Sequence, residues 1–191
     1  TTQAFAQGIS AIIGAGCSGA SVPAAQVASI SAIPIVSPSS QSPDLSDGKR
    51  FPYFLRTVPS DSFVATALVS MIKNLLEYTS VALTYASDAF SAGVGQAFID
   101  ASLEGGLAVS VVVRFAENAV DFQEVHRSLR QSRSRVIVLF SQNQDGSNLI
   151  RTALDEGIGG EGFLWLSAES GLSSASNWCG APELRERAFK G

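Results

Sequence analysis

Short, nearly continuous apolar runs recur along this chain, and stretches of helical character lie between them. The clearest runs are 81–85 (VALTY), the VSVVV segment inside 107–115, 135–140 (RVIVLF) and 163–167 (FLWLS). A strand with one wet face alternates apolar and polar residues, whereas an unbroken run needs cover on both faces. Unbroken strands alternating with helices are the pattern of a parallel sheet with helices on each side. The fold class read from the sequence is therefore α/β, with doubly wound parallel sheets.

Composition narrows the function. Of the 191 residues 46% are apolar, enough for a buried core. Only 16% are charged, the net charge is −4, and no basic tract is interleaved with aromatics, so a nucleic-acid surface is not expected. Two cysteines and one histidine supply neither a zinc set nor a disulfide framework, so no metal and no cofactor is expected. No apolar run reaches the ~18 residues that a spanning helix needs. The uncharged stretch 11–36 is broken by Pro23, Pro34, Gln26 and several glycines and reads as strand, turn, helix and strand. No basic leader stands at Thr1, which fits an excised piece of a secreted protein.

Along the chain, strands are expected at 9–14, 33–37, 81–85, 107–115, 135–140 and 163–167, with 53–58 extended. Helices are expected at 19–31 with Pro23 in the first turn, at 61–77 with Asp61 as N-cap, and at 91–104 closed by Gly105 and Gly106. Further helices are expected at 121–132, 147–156 and 182–190. The part after Asp61 holds enough strand–helix units for a complete layer. The part before Arg56 does not, since two strands cannot bury both faces alone. The expectation is a fragment of a two-lobed protein, or a chain completed by another segment.

Gly14-Ala15-Gly16-Cys17-Ser18-Gly19 is a G-x-G-x-x-G motif after a strand and before a helix. A dinucleotide site also needs an acidic residue about 20 positions on. That region reads Val36-Ser37-Pro38-Ser39-Ser40-Gln41, without an acid. The glycine-flanked helix start still suits a small anion, because its N–H groups are unpaired. Two readings of Ser18 stand open, as an anion donor and as a cap on its own helix. The second such motif, 157–162, follows a helix and precedes a strand, so it is a turn. His126 is expected as a solvated helix residue, and Cys17 as a buried, inert thiol. Cys179 lies in a loop, free or paired outside this chain. No catalytic constellation is indicated.

The ordered segments GAGCSGAS, SAIPIVSPSSQSPDLSD, FPYFLRTVPSD, VALTYASDAFSAG, RVIVLFSQ and FLWLSAES resemble the type I periplasmic-binding-protein fold. Within it they resemble the extracellular ligand-binding region of metabotropic glutamate receptors and other class C G-protein-coupled receptors. The resemblance implies two lobes around a ligand cleft, with 1–56 a partial lobe 1 and 57–191 a lobe 2 incomplete at its C-terminus. It implies that Ser18 meets an α-carboxylate, that Ser39 and Gln41 meet carboxylate and ammonium, and that Asp61 helps bind the ammonium. It places Phe90 where a tyrosine stacks over the ligand and Glu169 where an aspartate pairs with the ammonium. The implied ligand is an amino acid or a similar zwitterion, sensed by lobe closure. The implied partner is a second copy through lobe 1, with any membrane attachment in segments outside this chain. The implied setting is extracellular or periplasmic, in the ectodomain of a membrane protein. A soluble carrier feeding a transporter, a Rossmann-like NAD-dependent oxidoreductase fragment, and a lobe kept only for assembly are the alternatives.

Overall fold

Each predicted apolar run is a strand in the computed structural model, which describes residues 8–167. Glu169, Cys179 and the helix expected at 182–190 lie outside the described residues. The chain divides into two units, Thr1–Val64 and Ala65–Gly191.

The first unit runs β1 (Ile12–Ile13), α1 (Ser18–Ile30), β2 (Ile35–Ser37), a 3₁₀ turn (Pro43–Ser46) and β3 (Phe54–Arg56). Its strands are parallel in the order β1-β2-β3. The register sets Ile12, Ile35 and Phe54 in one row. That row joins Ala25 and Ala28 of α1, Leu45 and Phe51 in a small core. The alternate row is Ile13, Val36 and Leu55, and there Ile13 is 90% and Leu55 59% exposed. Among the described residues this second face is open. Pro23 falls inside α1, past its first turn. The hydrogen bond it lacks would have ended on the carbonyl of Gly19, a residue in contact with solvent.

Helix α2 (Ser62–Ser70) follows and continues into a π-helical turn, Met71–Leu75. It stops short of the expected end because Glu77 turns left-handed, with φ 59°. The second unit then runs β4 (Ser80–Ala86), α3 (Ala89–Gly105), β5 (Ala108–Phe115), α4 (Gln123–Ser132), β6 (Val136–Phe140), α5 (Asn143–Asp155) and β7 (Leu164–Leu166). All four strands are parallel, in the order β5-β4-β6-β7. Alternate residues feed opposite cores. Val81, Leu83, Val136, Val138 and Phe140 meet α2 and α3, while Ala82, Ala86, Ile137 and Leu139 meet α4 and α5. Two covered faces are why these strands carry no polar alternation.

Local chemistry sets the helix ends. Asp88 caps α3 by accepting from the N–H groups of Phe90 and Ser91 at 3.0 and 3.1 Å. Gly106 ends it in the left-handed region at φ 67°. Gly157, Gly160 and Gly162 are all left-handed, so the second glycine motif is a turn, as its context predicts. His126 is a correction. It is 3% exposed, because α4 buries the wider stripe Phe122, Val125, His126 and Leu129. Its Nε2 lies 3.4 Å from the Leu149 carbonyl and 3.3 Å from Thr152 Oγ1. Burial lowers its pKa, so the ring favours the neutral form.

Gly95 shows how tightly α3 lies on the sheet. A Cβ there would stand 2.8 Å from Cγ and Cδ1 of Tyr85. Gly95→Ala gains ~1 kcal/mol of helix propensity but meets an overpacking cost of ~1–3 kcal/mol. The expected result is a net loss of about 1 kcal/mol in urea unfolding. A raised midpoint would show that the ring moves aside freely.

Candidate functional site

The strands of the first unit are parallel, so the loops after β1 and β2 emerge at the same sheet edge. The first of these loops is the glycine motif, and the second is the serine run. Serine hydroxyls lock the two together. Ser37 and Ser21 donate to the Ala15 carbonyl at 2.6 and 3.2 Å, and Ser39 donates to the Gly16 carbonyl at 2.5 Å. Ser21 and Ser40 share a hydrogen bond of 2.7 Å, and the Ser42 N–H donates to Ser18 Oγ at 3.1 Å. Ser18, Ser21, Ser37, Ser40 and Ser42 are all buried. Small side chains with one donor and two acceptor positions suit such a junction, where a longer polar group would force the loops apart.

Ser18 is the first residue of α1 rather than its cap. The N-cap is Cys17, extended at φ −126° and ψ 149°, with no side-chain capping bond. This geometry turns Ser18 inward and Cys17 outward. The thiol is exposed and free, which corrects the expectation of a buried cysteine. In its bond with Ser42 the Ser18 hydroxyl accepts, which leaves its proton to donate. Ser39 is the reverse case. Its proton goes to Gly16, which leaves its oxygen to accept.

Gln41 and Asp61 form a second hydrogen-bonded pair. Gln41 Nε2 donates to Asp61 Oδ1 at 3.2 Å, and the Asp61 N–H donates to the Gln41 carbonyl at 3.0 Å. Asp61 was expected to cap α2, but the carboxylate turns to the loop instead. It is 6% exposed and its Oδ2 has no hydrogen-bond partner among the described residues. Burial raises its pKa to about 6, and the nearby Arg56 charge opposes that rise without cancelling it. Arg56, at the end of β3, is a residue to which the sequence alone assigns no role. Its Nη1 donates to the Ser42 and Ser40 carbonyls at 2.9 and 3.3 Å, and its Nη2 donates to Ser46 Oγ. It holds the serine loop in place. The signal for it was present, since an arginine ending a short strand beside a run of serine carbonyls has few other partners.

Of the sequence-predicted residues, Ser18, Ser39, Gln41 and Asp61 therefore come together on hydrogen-bonded loops of one unit. Phe90 stands in the second unit, in the first turn of α3, half-buried against the core. This turn follows the C-terminal end of β4, where the strand order reverses between β4 and β6. Open α/β sheets bind ligands at such a reversal. Asp88 and Gln142 face each other there, with Gln142 Nε2 3.5 Å from Asp88 Oδ1. Sequence reading missed this pair, since 54 residues separate it.

The family model for the receptor family ligand binding region matches residues 1–190. The chain belongs to that family. It is 30% identical to metabotropic glutamate receptor 4 of Mus musculus over 178 residues, which is 91% of this chain and 19% of the relative. It is 32% identical to metabotropic glutamate receptor 6 of Rattus norvegicus over 172 residues, 87% of this chain and 19% of the relative. The probable metabotropic glutamate receptor mgl-1 of Caenorhabditis elegans is 28% identical over 179 residues, 88% of this chain and 18% of the relative. The chain thus spans about a fifth of the length of the curated relatives it matches. As a receptor ligand-binding region it has the periplasmic-binding-protein-like α/β fold that the sequence motifs implied. The oxidoreductase and carrier alternatives are not favoured. Among the described residues no helix is long and apolar enough to cross a membrane.

Proposed function

We infer that this receptor ligand-binding region senses an amino acid or a similar zwitterion by lobe closure, and that it carries out no catalysis. The first unit is read as part of lobe 1 and the second as most of lobe 2. The observation that carries the reading is the unpartnered Oδ2 of buried Asp61, tied through Gln41 to the loop whose next residue, Ser42, holds Ser18. An uncompensated carboxylate oxygen calls for a cation, and a hydroxyl proton beside a helix start calls for an anion. Adjacent residues of one loop thus join the two poles that a zwitterion requires. Ser18 donates to the carboxylate, and Ser39, Gln41 and Asp61 accept from the ammonium. Phe90 and Glu169 are the proposed contacts of lobe 2, where they favour the closed form only through bonds absent from the open one. The setting is extracellular, in a membrane receptor that pairs with a second copy through lobe 1. The exposed, uncharged residues of α1, among them Gln26 and Ile30, suit that contact.

The test is calorimetric titration of the complete two-lobed region with the common L-amino acids. At least one is expected to bind, and Ser18→Ala to weaken it about ten- to a hundredfold. The hydroxyl lost is a charge-assisted donor worth ~1.5–3 kcal/mol, and a decade is ~1.4 kcal/mol. Unchanged affinity would leave Ser18 only its role as acceptor for Ser42.

A further inference from the structure

The geometry points to a second ligand site in the second unit, for a small organic anion with an apolar body, in a cavity between the end of α4 and the turn before β7. The cavity holds about 340 Å³ and is lined by Arg130, Arg133 and Arg135, with Leu129, Ile158 and Phe163 among its apolar walls. Among the described residues no carboxylate lines it. That volume lies within the usual range for small-molecule sites.

The three guanidinium groups are held differently. Arg130 donates to the carbonyl and the carboxylate of Glu156 at 2.7 and 2.8 Å. Arg135 stacks over the ring of Phe163, 4.4 Å from its centroid. Stacking fixes the plane of a guanidinium and leaves its N–H edge to bind a planar or tetrahedral oxyanion. Arg133 closes α4 in the left-handed region at φ 56°. Among the described residues the guanidinium groups of Arg133 and Arg135 have neither a carboxylate nor a hydrogen-bond acceptor. Among the described residues, three arginines against Glu156 leave about two positive charges here, in a chain of net charge −4.

The negative end of α4 attracts cations, and that alone could place arginines nearby. It does not explain an aromatic-stacked guanidinium over a cavity with apolar walls. That pairing recognises an anionic head on a hydrocarbon or aryl body, such as a carboxylate, sulfonate or phosphate ester. The site is separate from the proposed amino-acid site. Arg135 and Phe163 precede β6 and β7, at the opposite end of the parallel sheet from Phe90, which follows β4.

The test titrates the full chain with sodium naphthalene-1-sulfonate by calorimetry at low salt, with circular dichroism checking the fold. Saturable one-to-one binding is expected, with naphthalene-1-methanol and sodium sulfate each at least tenfold weaker. Arg135→Ala and Arg133→Gly are each expected to weaken sulfonate binding tenfold or more. Glycine suits the left-handed position, so that variant removes the charge while keeping the turn. Arg127→Ala, on the same helix but paired with Glu124 at 2.9 Å, is expected to leave binding unchanged. Absence of saturable binding, or equal affinity in the Arg133 and Arg135 variants, overturns the site. Sulfate binding as tightly as the sulfonate overturns the apolar half of the assignment.

Discussion

Asp61→Asn is expected to weaken amino-acid binding a hundredfold or more while making the ligand-free protein more stable at neutral pH. Both effects come from one buried carboxylate. Its Oδ2 is unpartnered, and burial raises its pKa from 3.8 to about 6, against the pull of Arg56. Removing one member of a buried ion pair costs ~3–5 kcal/mol, which is at least two decades of affinity. Without ligand, the same charge is a burden. The unfolded chain ionises Asp61 near pH 3.8 and the folded chain near pH 6, so the folded form binds more protons between them. Stability therefore falls as pH rises through that window and is level above it. Asparagine removes the effect and is expected to add about 1–2 kcal/mol at neutral pH, since its new N–H₂ also lacks a partner. On the proposed function a ligand ammonium reverses the balance by drawing the proton off, so wild-type affinity is expected to rise as pH passes through about 6. Calorimetry at about pH 5 and about pH 7.5, with thermal melts of both proteins, reads all three effects. A variant that binds like wild type, or an affinity flat with pH, would sink the role of Asp61.

The second large effect belongs to the core. Phe98 of α3 is fully buried, and its ring meets Phe140 of β6 edge-on, with centroids 5.7 Å apart and planes at 61°. Phe98→Ala is expected to cost ~3–5 kcal/mol from lost transfer energy and the cavity left behind. The aromatic pair contributes ~0.5–1.5 kcal/mol beyond its area. Domains hold only ~5–15 kcal/mol in total, so the variant should be mostly unfolded in mild denaturant. Phe63→Ala, at a ring 72% exposed, is the control and should change stability by under ~1 kcal/mol. Urea melts of the two variants decide the matter, and a small loss at Phe98 would mean that α3 does not anchor the sheet.

The sheets were legible because burial on two faces leaves a one-dimensional trace. Residues 135–140 have no alternation, and β6 is buried at every position from Val136 to Phe140. Element ends were harder. The helix expected from 147 begins at Asn143, since Asn143, Asp145 and Gly146 are weak helix formers that hide its first turn from a propensity reading. His126 is buried against expectation because a period of 3.6 gives the centre of a buried stripe but not its width. The residues of the loop cluster were named through the family resemblance, but the network joining them was illegible. Ser18, Ser39, Gln41 and Asp61 could be singled out, but pairs such as Ser21 with Ser40 or Ser37 with Ala15 depend on closeness across 19 and 22 residues. Asp61 looked like a cap because sequence shows where a helix starts and not which loop lies opposite.

The strand order β5-β4-β6-β7 sets a timetable for synthesis. Once β5 has joined β4, the other edge of β4 stays bare until β6 is made, 21 positions on from Phe115 to Val136. Ribosomes add ~5–20 residues per second, so that interval is about 1–4 s. Throughout it, a strand reading SVALTYA offers unpaired amide groups and apolar faces to any neighbouring nascent chain. A chaperone holding the chain through this interval would protect it more than one that acts after release.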